Sequence, residues 1–502
     1  MRRRWFAFGI GVVVAVWALL YLPHLRTSPG WYGDEFVTLI AGNSVLDRTF
    51  ENRALRYSFF SVFTNYQPVG VALFALGARL FSAGDILGAR VVSVTVALAL
   101  ALLVFVQLAR RGKILAGLGA GLLALAAPQS LVHFRWVYPH HLVALAVAAV
   151  FLLVLSRRKA TVARDWWVGG ACALAALTHL LAVHVTAAAL LAHIRRPAAW
   201  LRIAVMPGLV FLAALAAGYA ISGDQLFADL RELAGYYAAD SGRGGVRQKM
   251  ENIVSFFTHD WLHLGYAIGL AGLLIARRFA AAAFLGVIAL AVIQNRQELR
   301  VFYYQAMLFA PALGIALVWT VDRVARRARG MLPRGPVARF LSRAAVLGVA
   351  AAMLPAAFLA SVSGRIVSRN APWVAPSHAD LEASARWVRD RVGPDDFVVA
   401  FWDVGWQLDG RWTDLMQCAV WEYGECPAFY VRPRGREEFL FPADVRTARM
   451  ILVGPLDVRW AFGQGTVPRL LKEVGIDDWK MVPLSRTTAV LLNPRFPEPP
   501  LP

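Results

Sequence analysis

"WYGDEF", residues 31–36, sets two adjacent carboxylates, Asp34 and Glu35, between aromatic side chains. It follows, by about ten positions, a very apolar run over 5–22, and Arg2–Arg4 stand in front of that run. A helix needs about 20 apolar residues to cross the hydrocarbon core of a bilayer. The run is long enough, and basic residues at its start hold that end in the cytoplasm. The acidic pair is therefore expected outside the cytoplasm, where the first span leaves the membrane. "YLPHLRTSPG" (21–30) contains no small-residue cleavage pattern, so the first span is expected to be retained rather than removed as a signal peptide.

The rest of the chain extends this reading. Of 502 residues 58% are hydrophobic and 17% charged, where soluble domains carry about 25% charged residues. Long uncharged runs recur through the first two-thirds, which predicts a polytopic α-helical membrane protein. The net charge of +20 sits mainly in short Arg-rich loops: "RRGK" (110–113), "SRRKATVAR" (156–164), Arg195–Arg196, Arg277–Arg278 and "DRVARRARG" (322–330). Placing each in the cytoplasm satisfies the positive-inside rule. No basic stripe interleaved with aromatics marks a nucleic-acid site. The walk gives about eleven spans over residues 1–364, with 166–194 as a tight hairpin and 222–260 as a polar outer loop. Residues 68–82 open on Pro68 and read as a helix lying in the interface.

Residues 365–502 contain no run of span length and read as a small extracytoplasmic α/β domain. Helices are expected over 378–392 and 467–475, and strands over 396–402, 448–454 and 488–493. Cys418 and Cys426 lie close together there, and outside the cytoplasm a disulfide between them is expected. Cys172, in an apolar run, reads as a packing residue.

Ionisable groups at the mouth of a helical bundle are costly unless they face water or a partner. A carboxylate can take a proton from an attacking hydroxyl, and arginines can hold a departing phosphate. An early acidic pair with Arg and aromatics on later outer loops thus suits group transfer from a lipid phosphate. A membrane transporter or lipid-glycan flippase would show the same polar mouth. Asp34 and Glu35 would also suit the solvated first turn of a surface helix, because acids favour a helix N-terminus.

Four stretches resemble the GT-C membrane glycosyltransferases, in particular the protein-mannosyltransferase and aminoarabinose-transferase-like superfamily. They are "YGDEFVTLIAGNSV" (32–45), residues 66–111 with the interface helix and an Arg-led second span, the hairpin over 166–191, and "RVFYYQAMLFAPALGIAL" (300–317). The resemblance implies a polyprenyl-phosphate-linked sugar donor, an acceptor that is a cell-envelope glycan, lipid or protein, and one inverting displacement on the periplasmic side of a bacterial inner membrane. By position it implies Asp34 as base with Glu35 beside it, and Arg90, Arg135, Arg300, Tyr303 and Tyr304 near the donor phosphate. Arg53, Arg56, His140 and His179 become candidate substrate contacts. The turn "HFRWVYPHH" (133–141) lacks the acid that many members carry there. A divalent metal would then have to be held by Asp34 or Glu35 and a distant His.

Overall fold

The computed structural model describes residues 2–31, 33–51, 53–55, 63, 66–82, 84–156, 161–243, 246–258, 260–293, 308–331, 336–366, 378–425, 435–455, 457, 461–463 and 466–497. The chain forms two compact units. The first comprises 1–29, 77–215 and 237–370; the second comprises 30–76, 216–236 and 371–502.

The helices run in chain order as α1 (Arg2–Tyr21), α2 (Gly33–Leu46), α3 (Pro68–Ser82), α4 (Ile86–Ala109), α5 (Ile114–Ala126), α6 (Pro128–His133) and α7 (His140–Leu155). Then come α8 (Val162–Ala176), α9 (Ala182–Ala192), α10 (Pro197–Ser222), α11 (Asp224–Arg243), α12 (Val246–Thr258), α13 (Trp261–Ile275) and α14 (Phe279–Ile293). The series closes with α15 (Ala310–Met331), α16 (Pro336–Val362), α17 (His378–Arg389), α18 (Trp402–Gly405), α19 (Leu415–Tyr423) and α20 (Thr466–Val474).

Among the described residues four helices are long and apolar enough to cross a membrane, within α1, α4, α10 and α16; α3, α5, α7, α9, α13 and α14 are apolar but shorter. Several of the expected spans are therefore short helices. The third, read over 114–127, is a helix of 13 residues, about 20 Å long at 1.5 Å per residue, and Pro128 then starts α6. Glycines decide how α5 packs. A side chain at Gly117 would meet the Phe105 carbonyl oxygen of α4 at 2.7 Å, and Gly121 approaches the Ala101 carbonyl, one turn further along. Gly119, on another face, lies as close to the Val346 carbonyl of α16. Small residues at such spacing let helix backbones approach closely in a membrane.

Charge and tertiary contact agree within this unit. Lys113 pairs with Asp322 at 3.1 Å, and Lys113, Arg278 and Arg323 all lie over the Trp319 ring. Asp165, wholly buried, holds Arg196 and Arg202. The Arg-rich loops read as cytoplasmic thus meet at one end of the unit. At the opposite end of α4, Asp85 caps the helix by accepting from the Leu87 N–H at 2.7 Å and takes both Nε and Nη2 of Arg26.

The second unit contains a five-stranded sheet: β1 (Phe397–Val399), β2 (Arg411–Thr413), β3 (Met450–Val453), β4 (Lys480–Pro483) and β5 (Ala489–Leu492), in the order β2-β1-β3-β5-β4. β2, β1 and β3 run parallel, and β5 and β4 are added antiparallel. Every central β1 residue is buried, as expected of a parallel strand covered on both faces. Gly475, at φ +72°, stops α20 where its lack of a Cβ makes that conformation cheap. β1 is shorter than the apolar run 396–402 because Phe401–Trp402 turn into α18. The stretch 222–260, expected as a loop, is largely the helices α11 and α12. Leu226, Leu233 and Phe256 supply their buried positions.

Gly42 of α2 sits where a Cβ would collide with the Val71 carbonyl oxygen and with Ala75 of α3. Gly42→Val should force the two helices apart at a cost of about 1–3 kcal/mol. Thermal unfolding of the full chain checks this, and an unchanged midpoint would contradict the close crossing.

Candidate functional site

In the second unit Asp34 and Glu35 occupy the first turn of α2, where the helix dipole favours negative charge. The structure thus places them at a helix start, but not a solvated one. Glu35 is 0% exposed and Asp34 is half-buried. The flanking aromatics explain the burial. Trp31 and Phe36 are wholly buried. Phe36 stacks on Trp406 with ring centroids 5.0 Å apart, and Trp31 meets Phe36 and Trp406 edge-on. The acidic turn is thereby set against Trp406, which directly follows α18. Thr38 Oγ1 donates to the Asp34 carbonyl at 3.1 Å, tightening the first turn.

The loop after α2 is fastened to the same sheet domain. The Arg53 side chain is almost wholly buried, forms an ion pair with Asp414 and lies 4.7 Å from the Trp402 ring centroid. The Ala54 N–H donates to Gln417 Oε1 at 3.2 Å, the Ala54 carbonyl accepts from the Leu440 N–H at 2.8 Å, and Leu55 bridges to Phe439. Asp414 also caps α19, accepting from the Met416 and Gln417 N–H groups, and accepts from Trp402 Nε1 at 2.9 Å.

In the first unit a second group of polar side chains is buried among helix ends. Arg90 Nη1 donates to the carbonyls of Leu25, Arg26 and Pro29 at 2.9–3.2 Å. Arg135 Nη2 donates to the Tyr21 and Pro23 carbonyls, while its buried Nε and Nη1 have no hydrogen-bond partner among the described residues. The two guanidinium groups lie close enough to repel one another. Unpaired buried donors on a repelling cation pair are costly unless an anion fills the place. His133, His140, His141 and His179 are also buried in this unit, with the His140 and His179 rings 4.2 Å apart. Among the described residues no group of three His, Cys, Asp or Glu is placed to hold a metal ion.

Arg56, Arg300, Tyr303, Tyr304 and Cys426 lie outside the described residues. Cys418 is buried and forms no disulfide among the described residues, and burial pushes its thiol pKa up.

Solved structures share this architecture. The crystal structure of ArnT from Cupriavidus metallidurans in the apo state matches with a TM-score of 0.59 at 16% identity, covering 98% of this chain and 98% of that one. The chain has the GT-C fold. The same ArnT bound to undecaprenyl phosphate matches equally, at 0.59 and 16%, over 97% and 98% of the two chains. The archaeal oligosaccharyltransferase AglB from Archaeoglobus fulgidus, in complex with an inhibitory peptide and a dolichol-phosphate, shares the GT-C fold at a TM-score of 0.56 and 13% identity, over 95% and 73%. No protein-family model matches the sequence, and no curated protein matches it.

One pair of acids escaped sequence reading. Asp403 and Asp457 follow the carboxyl ends of the parallel neighbours β1 and β3, where the strand order reverses. Both are buried, and three of their four carboxylate oxygens lack a hydrogen-bond partner among the described residues. Asp457 Oδ2 accepts from the Gly454 N–H at 2.9 Å. Burial pushes the Asp403 pKa up to about 7; burial, then repulsion from Asp403, raises Asp457 well above the carboxylate range. An unfolded Asp titrates near pH 4, so the folded state holds the extra proton between about pH 4 and 7. Stability of this unit is therefore expected to fall as pH rises through that window. Asp403→Asn should stabilise the unit at pH 8 and change little at pH 4. Hydrogen exchange of β1 and β3 in the full chain measures this; equal protection of both proteins at pH 8 would refute it.

Proposed function

We propose that this chain is an integral membrane glycosyltransferase. It moves a sugar from a polyprenyl-phosphate donor to a cell-envelope glycan, lipid or protein on the periplasmic side of a bacterial inner membrane. The observation that carries the reading is Arg135: a buried guanidinium beside Arg90 whose Nε and Nη1 lack a partner among the described residues, in a chain of GT-C fold whose acidic pair begins α2. In this reaction Asp34 takes the proton from the acceptor hydroxyl as its oxygen attacks the anomeric carbon. The bond from that carbon to the phosphate oxygen breaks with its electron pair, and the configuration inverts, which requires base and leaving group on opposite ring faces. Glu35, buried beside Asp34, assists it. Arg135 and Arg90, with Arg300, Tyr303 and Tyr304, neutralise the charge gathering on the departing phosphate. His140, His179 and Arg56 contact substrate. Arg53, engaged by Asp414 and Trp402, instead acts as a positioning residue for the loop that follows α2. The undecaprenyl phosphate in ArnT and the dolichol-phosphate in AglB support a polyprenyl-phosphate donor.

The test uses purified full-length protein in lipid with radiolabelled polyprenyl-phosphate sugars and membrane acceptors. Transfer of label with equimolar release of polyprenyl phosphate is expected. Movement of a labelled lipid across the bilayer without any transfer would overturn the reading in favour of a flippase.

A further inference from the structure

Two tryptophans stand four positions apart in "WDVGW" (402–406), the stretch that forms α18 and the residue after it. Both reach the segment that carries the acidic pair. Trp402 lies under the Arg53 guanidinium, 4.7 Å from it, past the C-terminal end of α2. Trp406 stacks on Phe36 in the first turn of α2, with the rings 17° from parallel and their centroids 5.0 Å apart. One five-residue stretch thus touches the chain on both sides of α2, and all of these residues belong to the second unit.

The ring that Trp406 meets is part of a local device. Trp31 stands two positions before α2, and Phe36 is the fourth residue of that helix. Their rings meet edge-on with centroids 5.6 Å apart. An apolar side chain at that position, packed on the fourth residue, staples the first turn and fixes the angle at which the chain enters the helix. Asp34 and Glu35 are the second and third residues of α2, inside the stapled turn. Trp406 adds a third ring, 6.0 Å from Trp31 and edge-on to it, and the His378 ring lies 5.8 Å from Trp31. Stacked and edge-on ring pairs attract in defined geometries, so the acidic turn can neither rotate nor fray without losing these contacts.

The third ring is itself held in place. Trp406 Nε1 donates to the Asp403 carbonyl at 3.1 Å, and Trp402 Nε1 donates to Asp414 Oδ2 at 2.9 Å. Gly405, directly before Trp406, lies against the Trp412 ring of β2, where any Cβ would collide. α18 connects β1 to β2, which pair in parallel register from Phe397 with Arg411 to Val399 with Thr413. The indole is thereby anchored to the sheet, and a reacting group is held most closely by side chains whose own rotamers are locked. We propose that Trp406 is a positioning residue for sugar transfer, holding the first turn of α2 so that the Asp34 carboxylate keeps one place relative to the acceptor hydroxyl. This role rests on the reading of Asp34 as the base.

The experiment compares wild type, Trp406→Leu and Trp406→Phe as purified full-length proteins in lipid. Leucine keeps apolar bulk and removes the ring; phenylalanine keeps a ring. Hydrogen exchange is read at amides 37–40, whose bonds to the carbonyls four residues earlier close the first turn of α2. Trp406→Leu should exchange there about tenfold faster, with β1 and β3 as protected as in wild type. Its kcat for transfer from a polyprenyl-phosphate sugar should fall about 10–10²-fold, the scale of a small misplacement of a reacting group, with KM for the donor unchanged. Trp406→Phe should recover most of both. Added to Asp34→Asn, Trp406→Leu should cost little more, because it acts through the same carboxylate. Should Trp406→Leu fail to fold, Phe36→Leu removes the other ring of the stack and carries the same comparison. Equal exchange and equal kcat in wild type and Trp406→Leu, beside an impaired Asp34→Asn, would overturn the proposal. So would a full further loss on the Asp34→Asn background, which would make Trp406 act independently of Asp34. Undiminished transfer by Asp34→Asn would instead overturn the base reading on which the proposal rests.

Discussion

Asp34→Asn is expected to slow sugar transfer about 10²–10⁴-fold, the range that a positioned general base supplies. The substitution is nearly isosteric, so α2 should still start at Gly33 and the Trp31–Phe36–Trp406 contacts should persist. What is lost is the ability to accept the proton of the acceptor hydroxyl. The donor phosphate is assigned to Arg135 and Arg90, so donor binding should change little and the loss should fall on kcat rather than on KM for the donor. Single-turnover transfer from a labelled donor, with donor binding measured in parallel, separates the two. Undiminished transfer would remove Asp34 from the base role, and a proportionate loss of donor affinity would mean that it binds rather than reacts.

Asp414→Asn is expected to have the largest effect on stability, lowering that of the second unit by about 3–5 kcal/mol, the usual cost of stranding one partner of a buried ion pair. Asp414 is 0% exposed and its Oδ2 serves both Arg53 and Trp402 Nε1. In the amide, one orientation keeps the cap on the Met416 and Gln417 N–H groups but turns an NH₂ toward two donors. The other restores an acceptor to Arg53 and loses the cap, itself worth about 0.5–2 kcal/mol. Neither satisfies all four partners. Arg53→Met combined with Asp414→Asn should be less damaging than the sum of the single changes, because no buried charge is left alone. Hydrogen exchange at 53–55 and at α19 in the full chain reports the effect. Native protection in Asp414→Asn would show that the ion pair does not hold the loop. Transfer should fall along with protection, since the loop leads directly out of the helix that carries Asp34.

The local features of the chain were readable before its structure. Apolar runs placed most of the helices. The strands over 450–453 and 489–492 fell within the expected segments, and Gly475 ended α20 where its position suggested. The short elements were harder. β2 has three residues, too few for any alternation to register, and α18 hides inside a run that reads as a strand. A signal for α19 was present but passed over: Asp414 before an apolar stretch, then Gly424, is a helix framed by an N-cap and a left-handed C-terminal glycine. The amphipathic period under α11 and α12 was likewise masked by their polar composition.

The candidate site divides in the same way. Asp34 and Glu35 could be singled out because two acids at the end of an apolar run are energetically conspicuous, and Arg90 and Arg135 because charge at a helix mouth needs a reason. Nothing local shows that Arg53 is committed to Asp414, that Phe36 stacks on Trp406, or that Asp403 and Asp457 are buried as neighbours. Ala54 and Gln417 are bonded across 363 positions of chain, a pairing that no periodicity encodes. Hydrophobicity and charge act residue by residue, so the apolar helical runs, the Arg-rich loops, the trailing α/β segment and the acidic turn are all legible in the chain. Ion pairing, ring stacking and burial act between residues that only folding makes adjacent. Folding therefore settles that the acidic helix shares a compact unit with the sheet, that Glu35 is sealed from water, and that Arg53 is engaged while Arg135 keeps buried donors without a hydrogen-bond partner among the described residues.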